Sequence, residues 1–206
     1  GVRRAHPAFV PDAEILKELT YDEAIEFAEL GAKILNVKSI YPARRENIPI
    51  HVVDEQYTGT TISGFVGSEF LGAKIIASSP GHSILTVRYD KDKPGVLAEV
   101  ATQFKDAGVN IESMADERHV MSFAYIETGG GKIGQVVRAL NSNYSLNLEN
   151  GFARISVIGE GMRNQVGLLD VMTKSFVRRE ISIEMISQAL TQLNVTTFIP
   201  QEYERT

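Results

Sequence analysis

A stretch of this chain is written twice. Residues 94–114, PGVLAEVATQFKDAGVNIESM, align without a gap on residues 166–186, VGLLDVMTKSFVRREISIEMI, at a constant offset of 72. The surviving identities are ones that packing would hold: Gly95 with Gly167, Leu97 with Leu169, Phe104 with Phe176, Ile111 with Ile183 and Glu112 with Glu184. A repeat of this length implies two copies of one small module. In each copy a strand-like run (SILTVRY; ARISVIG) passes through a turn into a helical pattern, and two more strand-like runs follow (NIESM and SFAYIE; SIEMI and NVTTFI). That order is β-α-β-β, the start of a ferredoxin-like plan.

Residues 1–70 have a different character. A Pro-punctuated arm (Pro7, Pro11) leads to Thr20-Tyr21-Asp22-Glu23, a capping box in which threonine and glutamate satisfy the first helical amides reciprocally. Ala24, Phe27, Ala28 and Leu30 form the helix's apolar stripe, and Gly31 stands where the helix should stop. A short helix or loop through Ile40 is expected next, then a buried strand over 48–54, IPIHVVD, with Gly59-Thr60-Thr61-Ile62 as the turn out of it. Residues 73–78, AKIIAS, read as a strand ended by the break Ser79-Pro80-Gly81.

The first module then occupies 82–148. Leu97, Val100, Phe104 and Ala107 recur at helical spacing, Gly108 ends that helix, and Lys132 to Leu140 supply a second one after Gly129-Gly130-Gly131. The second module takes 149–206, but only QEYERT follows Phe198-Ile199-Pro200, so its own second helix is missing. Either the segment 71–81 completes that module from the other side, or the unit is longer in nature.

Composition narrows the classes of function. At 206 residues and 43% hydrophobic content the chain can build one or two domains with real cores. A net charge of -5 offers no basic field for nucleic acid. The absence of cysteine excludes disulfides, thiolate nucleophiles and Cys-based metal sites, and fits a reducing compartment. No apolar run approaches membrane-spanning length, and GVRRAHPAFVPDAE does not build the core of a signal peptide. A cytoplasmic protein is expected, with neither nucleic acid nor membrane as partner. His6, His51, His82 and His119 show no metal-ligand spacing, and no catalytic constellation can be assembled. Residues 129–134, GGGKIG, satisfy the spacing of a dinucleotide fingerprint, but the strand before them belongs to an antiparallel unit, so they read as a flexible turn into a helix.

The wording of residues 10–53, VPDAEILKELTYDEAIEFAELGAKILNVKSIYPARRENIPIHVV, resembles the aspartokinase family, whose corresponding stretch runs VPDA, SYDEA, ELA, GAKVLHPR and IPI. The two modules are similar to the paired ACT domains that follow the kinase fold in those enzymes: DKPGVLAEV fits the first, and ISVIGEGMR with the SQ of EMISQ fits the second. The resemblance covers essentially the whole chain in the family's order. It implies an α/β and α+β protein, the end of an amino-acid-kinase α/β fold followed by two ferredoxin-like ACT domains. The parent enzyme would use ATP and magnesium to phosphorylate the β-carboxylate of aspartate.

The departures carry weight too. The family's Lys-Phe-Gly-Gly opening is not in this sequence, and the element reading GVYTTDPR has become Gly1 to Ala8, with His6 for the aspartate and Ala8 for the arginine. The lysine of GAK remains as Lys33, which by the resemblance would meet a nucleotide phosphate and otherwise reads as a solvated helix-end charge. Phosphoryl transfer needs cations and metal around the phosphates. The chain by itself is therefore expected to transfer nothing and to bind no cofactor firmly.

What remains is regulation. A helix starting at Pro94-Gly95 presents free amides and a positive dipole end to the α-carboxylate of an amino acid, with Gly95, Val96 and Leu97 at the mouth. Asp90, Asp92 and Glu112 would neutralise the amine, and Asn110 and Ile111 would supply backbone hydrogen bonds, as the matching positions do in effector-binding aspartokinases. The same Asp-Lys-Pro-Gly also reads as ordinary turn chemistry. Ser187, Gln188 and Asn194 form the second candidate, but Gln192 stands where the family has an acid, which favours an interface role for that module. The implied partners are lysine, threonine or methionine as effector and a second copy through the ACT domains. A free-standing regulatory subunit that joins a separate catalytic chain, or an ACT protein kept only for binding or assembly, are the alternatives.

Overall fold

The computed structural model describes residues 1–31, 35–55, 57–65, 67, 72–90, 94–127, 129–162, 165–188 and 193–205. The capping box forms as written. The Thr20 hydroxyl accepts from the Glu23 amide at 3.1 Å and the Glu23 carboxylate accepts from the Thr20 amide at 2.9 Å, which starts helix α1 (Tyr21–Glu29). Leu30 caps it and Gly31 follows with φ of 106°, a left-handed exit that glycine adopts without strain. Strands β1 (Glu18–Thr20), β2 (Ile50–Val53) and β3 (Gly59–Ser63) form a small sheet in the order β1-β3-β2, and α2 (Val37–Arg45), capped by Asn36, packs beside α1.

Two expectations change here. Residues 48–54 are not a buried strand: Ile50 and Val52 turn inward while His51 and Val53 face water, because β2 is the outer strand of its sheet. Residues 59–62 are strand β3 rather than a turn. Ile62 is fully buried, and Thr60 is buried with its hydroxyl donating to the Leu16 carbonyl at 2.6 Å and accepting from the Val2 amide at 2.7 Å. A paired hydroxyl can occupy a core position that an unpaired one cannot.

The repeated modules share a six-stranded antiparallel sheet. Its strands are β4 (Ile75–Arg88), β5 (Ile111–Glu117), β6 (Val120–Ile126), β7 (Ser145–Ile158), β8 (Met185–Gln188) and β9 (Asn194–Pro200), in the order β5-β6-β4-β7-β9-β8. The break expected at Ser79-Pro80-Gly81 is a slip within one strand: the β4–β7 register shifts between Ser79 and His82, where Gly81 has φ of 84°. The slip divides both long strands. Residues 82–88 of β4 pair with β6 and open the first module, while residues 75–79 pair with residues 154–158 of β7 in the second. Residues 145–150 of β7 in turn close the first module. Each module takes its fourth strand from the other's first, so residues 75–79 complete the second module from the far side.

Helices α3 (Val96–Ala107) and α4 (Ile133–Leu140) cover the first half of the sheet, and Val96, Val100, Phe104, Ile133, Val136 and Leu140 bury against Leu85, Val87, Phe123 and Tyr125. Each such side chain contributes about 1.5–3 kcal/mol on burial. Over the second half lies α5 (Leu168–Val177), which buries Met172 and half-buries Leu168 and Phe176. The other faces of the two halves turn toward each other. Ile84 and Ala124 from the first meet Phe152, Met185 and Phe198 from the second, and the edge strands β5 and β8 come into contact.

The β1–β3 region is not a separate body. Its core of Leu16, Leu19, Tyr21, Ile25, Phe27 and Ile62 continues into Ile75, Ala77 and Ile158 of the shared sheet.

Candidate functional site

The first candidate lies at the start of α3. Gly95 is its N-cap with φ of 88° and ψ of 3°, and among the described residues no side chain caps the first turn and a Cβ built on Gly95 would meet nothing within 4 Å. The first amides of α3 thus take no side-chain cap among the described residues, at the positive end of the helix. Val96 is buried in the core beneath them, Leu97 is half-exposed at the side, and Asp90 is exposed just ahead. Asp92 lies outside the described residues, as do Lys33 and Gln192. Glu99, in the first turn, is committed to the Tyr144 hydroxyl at 2.5 Å and to Asn143 at 3.2 Å.

The repeat reproduces this backbone at α5. Gly167 has the same φ of 88° and ψ of 3°, no side-chain cap and open space where a Cβ would stand. What differs is the flank: 72 residues on from the exposed Asp90 stands Met162, buried at 4% exposure.

The remaining candidates gather elsewhere. Asn110, Ile111 and Glu112 at the head of β5 face Ser187 and Asn194 of β8 and β9 across a cleft of about 500 Å³, and Glu26, Glu29 and Leu30 of α1 form its third wall. The contact between β5 and β8 brings them together. Asp90, Gly95, Val96 and Leu97 do not line this cleft, and neither does Gln188, exposed at the end of β8.

Glu112 is not free to serve the α3 start. Its Oε2 accepts from Arg154 Nη1 at 2.8 Å and lies 3.2 Å from Nδ1 of His82, a fully buried ring set edge-on to Phe198. Burial pushes the Glu112 carboxyl up, but the His82 contact and the Arg154 charge outweigh it and hold the group below its ordinary value. Burial likewise lowers the Arg154 guanidinium, opposed by Glu112 and Glu26. Across the cleft, burial raises the Glu26 carboxyl; the hydrogen bond from Asn194 opposes this, Glu29 adds to it and Arg154 opposes it.

Helix α1 is tied to the second module by another buried group. Glu23, fully buried, accepts from Lys74 Nζ at 2.8 Å, and its second oxygen accepts from the Glu160 amide at 2.6 Å. One carboxylate thus caps the helix and holds the chain just before β4 and just after β7, the two central strands of the shared sheet.

Sequence reasoning missed Glu26, Glu29, Arg154 and His82. Signals existed: Glu23, Glu26 and Glu29 recur every third residue along α1, and Arg154 interrupts the apolar strand ARISVIG. Of the other motifs, Gly129, Gly130 and Gly131 have φ of 113°, 87° and 63° and follow β6, which is antiparallel to both neighbours, so the fingerprint spacing lacks its parallel context. Among the described residues no three His, Asp or Glu side chains gather to hold a metal ion, and no helix is long and apolar enough to cross a membrane.

Comparison with known proteins agrees with this architecture. Residues 1–54 match the amino acid kinase family and residues 155–206 match an ACT domain. Curated aspartokinases of Mycolicibacterium smegmatis and Corynebacterium glutamicum are each 27% identical over 210 residues, which is 95% of this chain and 50% of theirs. The chain spans about half the length of the curated relatives it matches. Among solved structures, the aspartate kinase of Clostridium acetobutylicum superposes with a TM-score of 0.94 at 19% identity, covering 100% of this chain and 50% of that one. E. coli aspartokinase III in complex with aspartate and ADP gives 0.87 at 21% identity, covering 100% and 48%. The regulatory subunit of aspartate kinase from Thermus thermophilus gives 0.56 at 18% identity, covering 66% of this chain and 91% of that one.

Proposed function

We propose that this chain, a relative of the C-terminal half of the aspartokinases, is the regulatory portion of an aspartate kinase. Its ACT modules sense an end-product amino acid and bias the kinase end through α1. The parent reaction is transfer of the ATP γ-phosphoryl group to the aspartate β-carboxylate with magnesium. The described part of the N-terminal arm does not fit a nucleotide: Arg3 donates to the Ala13 carbonyl at 2.6 Å, Arg4 pairs with Glu14 at 2.8 Å, and the Ala8 amide donates to His6 at 3.2 Å. No catalytic step is assigned to this chain.

The observation that carries the reading is the open, uncapped start of α3. An amino acid's α-carboxylate accepts from the free amides beside Gly95, and its ammonium faces Asp90. Lysine, threonine and methionine form the candidate class, in keeping with the E. coli aspartokinase III solved in complex with lysine and aspartate. The second module keeps the helix start but has buried Met162 where the amine would need an acid, which suits a structural role. Exposed Val166, Leu169, Val171 and Val177 around α5 support association with a second copy. A free-standing subunit made of the modules alone is less consistent with one core running from Leu16 and Phe27 into Ile75 and Ile158.

Titration calorimetry of the chain against lysine, threonine and methionine tests this reading. Saturable binding of one of them at one site per chain is the expected result. Absence of heat from all three at millimolar concentration would remove its basis.

A further inference from the structure

We propose that Asn150 is a site of spontaneous covalent modification: its side chain loses ammonia through a cyclic imide closed on the Gly151 amide. The product interrupts a strand that both modules share. Asn150-Gly151 is the only Asn-Gly step in the sequence. That dipeptide is the strongest short signal for a hairpin turn, yet here it lies inside the 14-residue strand β7, where the β4–β7 register slips. The reaction rests on neither an effector nor a kinase.

The place favours ring closure. Gly151 is passed over by the ladder: Asn150 pairs with Ser83 and Phe152 with His82, while Gly151 adopts φ of 85°. A bulged residue can move without breaking a registered pair on either side. Space is available for that movement. Asn150 and Gly151 are exposed, and among the described residues a Cβ placed on Gly151, or on Gly81 in the opposing strand, would meet nothing within 4 Å. The buried Ser83 side chain supplies the third feature, its hydroxyl donating to Asn150 Oδ1 at 2.8 Å. A donor on that oxygen stabilises the negative charge that develops there during attack. Asn141, exposed and followed by Ser142, is next in steric freedom, and every other asparagine precedes a larger side chain.

Water is the only co-reactant. The Gly151 amide gives its proton to hydroxide and its nitrogen bonds to Cγ of Asn150. The Cγ–Nδ2 bond then breaks, and the side-chain nitrogen leaves as ammonia with a proton from water, which restores the hydroxide. Water next opens the imide at one of its two carbonyls. Cleavage at Cγ yields aspartate, whereas cleavage at the backbone carbonyl yields isoaspartate, whose main chain runs through Cγ and is a methylene longer. Residues 145–150 of β7 close the first module and residues 152–158 pair with β9 in the second, so the added length falls at their junction. It puts the two halves of the strand out of phase.

The test is incubation of the wild-type chain, Asn150→Gln and Ser83→Ala in mildly alkaline buffer, beside a synthetic peptide of residues 145–155. Peptide mapping and isoaspartyl methyltransferase labelling follow the reaction. In the wild type, Asn150 should convert about tenfold faster than Asn141 and within about tenfold of the peptide. Asn150→Gln, whose longer side chain closes a larger ring slowly, should lose the label. Ser83→Ala should convert more slowly at Asn150; circular dichroism checks its fold, and if it does not fold the Asn141 and peptide comparisons stand alone. The separated isoaspartate form should have a Tm at least about 3 °C below the wild type, whereas Asn150→Asp, which keeps the main chain, should stay closer to it. Asn141 converting first, an Asn150 that the fold protects beyond the stated margin, faster conversion in a folded Ser83→Ala, or an isoaspartate form as stable as the wild type would overturn the proposal.

Discussion

The two repeated modules begin alike and finish differently. Gly95 and Gly167 start their helices at the same φ of 88° and ψ of 3°, both uncapped and both open. Beyond that point the first module lays two helices over its sheet and fully buries Phe104, while the second has α5 alone and leaves the matching Phe176 half-buried. The N-terminal arm leans over the remaining face, where Phe9 and Val10 stand with Ile76, Ile155 and Phe176 around a cleft of about 250 Å³. A repeated sequence therefore fixes the backbone of the helix start, whereas the packing around that start differs between the two copies.

The largest expected effect separates the two cores. Phe104→Ala should cost about 4 kcal/mol, as for a fully buried aromatic, and Phe176→Ala about 2 or less, because that ring is only partly buried. Urea denaturation of both variants measures the difference. Equal losses would mean that the second module is packed as fully as the first.

Next in size is the tie between α1 and the second module. Glu23→Gln removes the charge opposite buried Lys74 and weakens the cap, and should cost about 3 kcal/mol, since breaking one side of a buried pair strands the other. The same substitution at exposed Glu29 should change stability by less than about 0.5 kcal/mol.

A third contrast is in pH. The Glu112 carboxyl is held below its ordinary value of 4.5, so its ionised form stabilises the native state above that pH, and the contribution is lost as pH falls through the folded value. Glu26 runs the other way: its carboxyl is raised, so its cost at neutral pH is relieved as pH drops through the folded value toward 4.5. Glu112→Gln should lower Tm at neutral pH and flatten its decline on the acid side. Glu184→Gln, at the matching exposed position of the second module, should change Tm at neutral pH far less, as for a surface substitution worth under about 0.5 kcal/mol.

The smallest effect tests the helix ends. Gly108, with φ of 65°, ends α3, and 72 residues later Glu180 adopts φ of 55°. A left-handed conformation costs a side-chain-bearing residue about 1 kcal/mol. Glu180→Gly should therefore stabilise by up to about 1 kcal/mol, and Gly108→Ala should destabilise by a similar amount. Thermal unfolding of both variants decides it.

Much of this was legible in the residues. The capping box at Thr20 and Glu23, the exit at Gly31 and both module helices follow from local chemistry and periodicity, and the repeat predicted the β-α-β-β units directly. The slip in β4 was harder to see, because Ser-Pro-Gly marks the end of a strand more often than a bulge inside one. The cleft was not legible as one place. Glu26, Glu112, Arg154 and Asn194 lie far apart in sequence and meet only because the sheet curls until β5 touches β8. Local patterns carry no information about that closure. They do show Arg154 as a charge within an apolar strand, a hint that a buried partner was required.

Calorimetric titration of a paired substitution, Gly95→Asp and Gly167→Asp, bears most directly on the proposal that the first module is the sensor and the second its scaffold. With folding confirmed by circular dichroism, Gly95→Asp should abolish binding of whichever of lysine, threonine or methionine the wild-type chain takes up at α3, by placing a carboxylate against the ligand's own. Gly167→Asp should leave that affinity within about twofold, a difference below roughly 0.4 kcal/mol. Undiminished binding in the Gly95 variant, or loss confined to the Gly167 variant, would contradict the assignment and move the sensor to the second module.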